Sequence, residues 1–143
     1  MKKYIHCIVL MVLGLLAIAA CKVVGLGPRV DLKGPVLTLT SPTYMQNVNE
    51  GFRVKGEVKD DQDILEVLIT TDASENQWRI YNKKWEYRSS EKEGWTPFEG
   101  EGEIEIVSEN HYTWWIDIAL GTDADGEYTV SVVAKDKSKN TDA

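Results

Sequence analysis

Beyond Pro35, apolar and polar residues alternate with a period of two along most of the chain, and turn residues cut the pattern into short runs. The clearest run is Gly126 to Asp136, GEYTVSVVAKD. There Asp125-Gly126 supplies a turn, and Tyr128, Val130, Val132 and Ala134 alternate with Thr129, Ser131 and Lys135. Such alternation after a turn dipeptide predicts an antiparallel strand with one dry face. This strand is read as the central one, with Tyr128 at the corner where it begins.

Other runs repeat the pattern. Val36 to Ser41 ends at Pro42, and Ile64 to Thr71 groups Leu65, Val67, Ile69 and Thr71 on one face. Phe52 to Lys59 sets Phe52, Val54, Gly56 and Val58 against Arg53, Lys55, Glu57 and Lys59. Glu103 to Val107 alternates Ile104 and Ile106 with two glutamates, and Tyr112 to Leu120 places Tyr112, Trp114, Ile116, Ile118 and Leu120 together. Trp78 to Tyr81 and Trp85 to Arg88 flank Asn82-Lys83-Lys84 as two short strands. No run in this part repeats at 3.6 residues, so an all-β antiparallel sandwich is expected.

The amino terminus follows a different rule. Lys2-Lys3 precede a nearly unbroken apolar run of 16 residues, Ile5 to Ala20, which ends in the small pair Ala19-Ala20. That is short of the roughly 20 residues a membrane span needs, and it has the layout of a secretory signal peptide. Ile18-Ala19-Ala20-Cys21 resembles the lipobox of bacterial lipoproteins, with Ile18 where Leu is usual. The resemblance implies cleavage before Cys21 and acylation of that residue. Two or three acyl chains hold a protein to a bilayer firmly where one holds it marginally. Lys22 stands where an Asp would retain an enterobacterial lipoprotein at the inner membrane, which favours the outer membrane or cell surface. Residues 1–20 are thus read as signal peptide, 21–34 as a flexible tether broken by Gly25, Gly27, Pro28 and Gly34, and 35–143 as the domain.

Within that domain, PVLTLTSP at Pro35 to Pro42, GFRVKGEVKDDQDI at Gly51 to Ile64, VLIT at Val67 to Thr70, WWIDI at Trp114 to Ile118 and DGEYTVSVVAKDKSKN at Asp125 to Asn140 resemble the immunoglobulin-like modules of bacterial surface proteins. The resemblance implies an immunoglobulin-like sandwich used for adhesion or scaffolding. It departs at Lys139, where the family has Gly, and in the segment from Gln77 to Glu109, longer than the family's usual loop, which implies an inserted hairpin. In the family a final strand follows the turn after Asp136. Here that strand is either missing or belongs to a longer surface protein of which this chain is the first piece.

Composition narrows the function. With 16 Lys and Arg against 23 Asp and Glu the formal charge is −7, and loss of Lys2 and Lys3 takes it to −9. No basic stripe for nucleic acid is present. His6 and Cys7 leave with the signal peptide and Cys21 is committed to lipid, so His111 is the sole histidine of the remainder. No nucleophile and base at recognisable spacing, phosphate-cradling glycine loop or metal-ligand pair occurs, and neither catalysis nor a cofactor is expected. Asp60, Asp61 and Asp63 would share one end of a sandwich with Asp136 and Asn140 and could offer oxygen ligands to Ca²⁺. Turn capping explains the same residues without a metal. Trp85, Tyr87, Trp95 and Trp115 are the rings that a carbohydrate-binding platform would use, although aromatic residues also fill sandwich cores. The expected function is therefore a lipid-anchored, non-catalytic contact or spacing module with an unidentified protein partner, and a glycan-binding module is the alternative.

Overall fold

The computed structural model describes residues 31–48, 51–120 and 126–142. The expected signal peptide, Cys21 and most of the expected tether lie outside them. Leu32–Ala143 forms one compact unit. Its strands are β1 (Val36–Ser41), β2 (Gly51–Lys59), β3 (Ile64–Thr71), β4 (Ser74–Tyr81), β5 (Lys84–Arg88), β6 (Thr96–Pro97), β7 (Gly102–Ser108), β8 (His111–Ala119), β9 (Val130–Asp136) and β10 (Thr141–Asp142). Among the described residues there is no helix.

The strands form two antiparallel sheets, ordered β1-β2-β8-β7 and β10-β9-β3-β4-β5-β6. This is the Greek-key order of an immunoglobulin-like sandwich, with the β4 and β5 hairpin widening the second sheet as in variable-type domains. Asn82 and Lys83 join that hairpin with φ of 49° and 57°, the left-handed pair of a tight two-residue turn. The inserted hairpin therefore continues a sheet.

Alternation decides which side chains meet between the sheets. Val54 and Val58 from β2, Val67 and Ile69 from β3, Ile80 from β4, Trp114, Ile116 and Ile118 from β8 and Ala134 from β9 are all essentially inaccessible. Each such side chain contributes about 1.5–3 kcal/mol on burial when it is Val, Leu, Ile or Phe sized. Gly56 lies opposite Trp114 in the register of β2 and β8. A Cβ on Gly56 would sit 2.7 Å from Trp114 Cζ2 and 2.9 Å from the Thr38 carbonyl oxygen, so the glycine makes room for the indole.

Two expectations change. β9 is not central: it pairs with β3 on one side and only with the two residues of β10 on the other. It also begins at Val130, because the Thr129 N–H donates to Asp72 Oδ1 at 2.7 Å and the ladder to β3 ends at Thr71. At the other end, Lys33 and Gly34, expected in the tether, run against the domain. The Lys33 carbonyl accepts from Asn140 Nδ2 at 3.2 Å and Pro35 is fully buried.

Candidate functional site

The outer face of the four-stranded sheet carries the polar half of β2 and β8. Arg53 grips Asp117 through two parallel bonds, Nε to Oδ1 and Nη2 to Oδ2, each 2.7 Å. Its guanidinium lies 3.7 Å from the Trp115 ring centroid, and Trp115 Nε1 donates to Glu103 Oε2 at 3.1 Å. The Arg53 hydrogen bond holds the Asp117 carboxyl below its ordinary range, and the same bond raises Arg53. A few residues along, Glu57 accepts from Lys59 Nζ at 2.7 Å and bonds His111 Nε2 at 2.8 Å, and these partners lower its carboxyl in that order. Such exposed pairs are screened by solvent and add little to stability. Their effect is to present a fixed pattern of charge.

The second sheet carries its own cluster. Arg79 bridges Glu86 at 2.6 Å and Glu66 at 3.5 Å, and Lys135 reaches Glu66 at 3.3 Å. Arg79 also lies 4.5 Å from the Tyr81 centroid and 4.1 Å from that of Trp95, which Arg88 approaches at 5.1 Å. Arg88 in turn donates to Gln77.

The four rings considered for sugar binding are dispersed by the fold. Trp85 and Tyr87 point inward. Trp85 meets Trp114 edge-on at 6.0 Å, and Tyr87 packs on Trp78 at 5.8 Å and Phe98 at 6.3 Å. Trp95 and Trp115 lie on opposite outer faces, each with a guanidinium over its ring. No shared platform forms from the four.

The acidic end does assemble. Carboxylate oxygens of Asp60 and Asp136 approach within 4.8 Å. Both side chains also serve a turn. Asp136 is 1% exposed and accepts from the Asn140 backbone N–H and Nδ2, both at 2.8 Å. Asp60 Oδ1 accepts from the Asp61 N–H at 2.7 Å, and Asp63 pairs with Lys137 at 2.6 Å. Lys139 adopts φ of 71°, so the turn after Asp136 holds a left-handed position that favours glycine.

Sequence reading missed the free side of β7. This strand ends the four-stranded sheet, and no strand among the described residues pairs with its outer side. Ile106 and Val107 are each 55% exposed there. Alternation of Glu103, Ile104, Glu105 and Ile106 announces a strand; it carries no information on how many neighbours that strand has. No family model, curated protein or solved structure matches this chain.

Proposed function

We propose that this protein is a lipid-anchored module of the bacterial cell envelope whose immunoglobulin-like domain makes protein contacts, for adhesion or spacing, without catalysis. The observation that carries the reading is the junction Ile18-Ala19-Ala20-Cys21, an apolar run ending in two small residues and a cysteine, directly ahead of a glycine-broken segment and a β domain. Acylation at Cys21 would hold the domain close to a bilayer and let it act by what it touches. The open strand at Gly102–Ser108, with exposed Ile106 and Val107, supports a contact role. Folds of this kind host many functions, so the site and the anchor, not the sandwich, give the reading its content.

Two experiments on cells expressing the full chain test it. In detergent phase partition the wild-type protein is expected in the detergent phase and Cys21→Ser in the aqueous phase. Photo-crosslinking from position 107 and, separately, from position 83 in the β4–β5 turn is expected to give a protein adduct from at least one site. Aqueous partition of the wild type would refute the anchor, and absence of adducts from both sites would refute the contact role.

A further inference from the structure

The four sheet edges are not equivalent. β10 and β6 are two residues long, and β6 contains Pro97. β1 is bounded by Pro35 and Pro42, has a register shift between Leu39 and Ser41, and its Leu37 N–H is already taken by Asp142 Oδ2 at 2.9 Å. Short strands, prolines and irregular register are the usual ways of blunting an edge. β7 has seven residues, no proline and no lysine, and its one register shift, between Ile106 and Ser108, falls at its far end and leaves Gly102 to Ile106 in regular register with β8.

The hydrogen-bond phase of β7 can be read from its partner. The Asp117 N–H donates to the Glu101 carbonyl at 2.9 Å, so in the β7–β8 register the odd-numbered residues of β7 face β8. Antiparallel ladders alternate, which turns the backbone N–H and C=O of Ile104 and Ile106 outward. The phase agrees across the sheet. On the far side of β2 the carbonyls of Arg53 and Lys55 accept from Ser41 and Thr40, as odd-numbered residues pointing toward β1 should.

Side chains along this edge separate by face. Glu103 and Glu105 lie outward beside Trp115 and Thr113, while Ile104 packs on the core and Ile106 stands at its open rim. Charge then selects the occupant. Glu99, Glu101, Glu103, Glu105 and Glu109 crowd this part of the chain, and no Lys or Arg occurs between Lys92 and Lys135. A second copy pairing β7 to β7 would set glutamates opposite glutamates, which is destabilising.

We propose that β7 is a strand-addition site for an extended segment of another envelope protein in which Lys or Arg alternates with Val or Ile. The backbone of that segment completes the ladder at Ile104 and Ile106, its apolar side chains cover Ile106, and its cations meet Glu103 and Glu105. The inference rests on the contact reading above and adds the surface and the chemistry of the partner.

The test uses the full chain in detergent with a fluorescent (Lys-Val)4 peptide, its (Glu-Val)4 counterpart, and a (Lys-Val)4 peptide N-methylated at alternate residues. Fluorescence anisotropy is expected to show binding of the first alone, weakening with salt. The double variant Glu103→Lys, Glu105→Lys is expected to weaken it about tenfold or more. Ile106→Pro removes an outward N–H and no ladder bond, so it should abolish binding with little change in melting temperature. If that variant misfolds, the N-methylated peptide reads the same backbone requirement. Absence of (Lys-Val)4 binding, or equal binding of the methylated or acidic peptide, would overturn the proposal. A crosslink from position 83 with none from position 107 would leave the contact reading standing and remove this edge from it.

Discussion

Substituting Gly56→Ala probes the packing of the sandwich at its tightest point. The added methyl would lie 2.7 Å from Trp114 Cζ2, 3.1 Å from Cε2 and 2.9 Å from the Thr38 carbonyl oxygen. One side of this space is the backbone of β1. The other is an indole that is 1% exposed and held edge-on by Trp85 at 6.0 Å and 79°. Neither wall can retreat without moving a neighbour, and overpacking of this kind costs about 1–3 kcal/mol. Alanine restricts the unfolded chain more than glycine and returns about 0.4–1 kcal/mol. The expected net loss is about 1–2 kcal/mol, or a melting temperature lowered by roughly 5–10 °C for a domain of this size. Thermal and urea unfolding followed by tryptophan fluorescence measure it. Trp114→Phe removes the ring atoms that the methyl meets, and it breaks no hydrogen bond, because Trp114 Nε1 makes none among the described residues. The double variant should therefore cost less than the sum of the two singles by more than about 0.5 kcal/mol. A Gly56→Ala protein as stable as wild type, or strictly additive costs, would refute the reasoning.

Three further outcomes follow from named contacts. Asp136→Ala strips the buried carboxylate that accepts both Asn140 donors, and a loss of about 2–3 kcal/mol is expected in urea unfolding; a loss below about 0.5 kcal/mol would contradict that role. Burial pushes the Tyr112 phenol well above its ordinary value. Its contribution is then complete below about pH 10, where the unfolded phenol titrates, and declines as pH rises beyond it. Tyr112→Phe should flatten the alkaline fall of stability, and identical slopes for the two proteins would show the phenol is not the cause. Lys139 holds φ of 71°. Lys139→Gly relieves roughly 1–2 kcal/mol of left-handed strain against about 0.5–1 kcal/mol of glycine entropy. A gain of up to about 1 kcal/mol in urea unfolding is expected, and a clear loss would count against it.

Much of the sandwich can be read in the chain because alternation is a local property. β1 and β3 span the residues their patterns predict, since prolines bracket the first and an acidic turn precedes the second. The buried face of β8 follows from Tyr112, Trp114, Ile116 and Ile118. β4 starts earlier than its apolar residues suggest, because the polar residues Ser74 and Gln77 pair with Thr71 and Thr70 across a register shift. Neighbour number is not local, which is why β9 reads as central and lies beside a two-residue strand. Adjacent Trp114 and Trp115 must face opposite ways on a strand, so their separation is implicit in the sequence. Trp95 sits between strands, and its stacking with Arg79 depends on contacts that no spacing encodes. The acidic end shows the converse: Asp60 and Asp136 do come together, as turn residues at one end of a sandwich should, and both also bond turn amides, while Asp63 pairs with Lys137.

The intact mass of the protein extracted from membranes, compared with that of Cys21→Ser, tests the anchored-module reading most directly. The expected mass lacks Met1 to Ala20 and gains acyl chains at Cys21, and both changes disappear in the variant. A wild-type mass without acyl chains would contradict it.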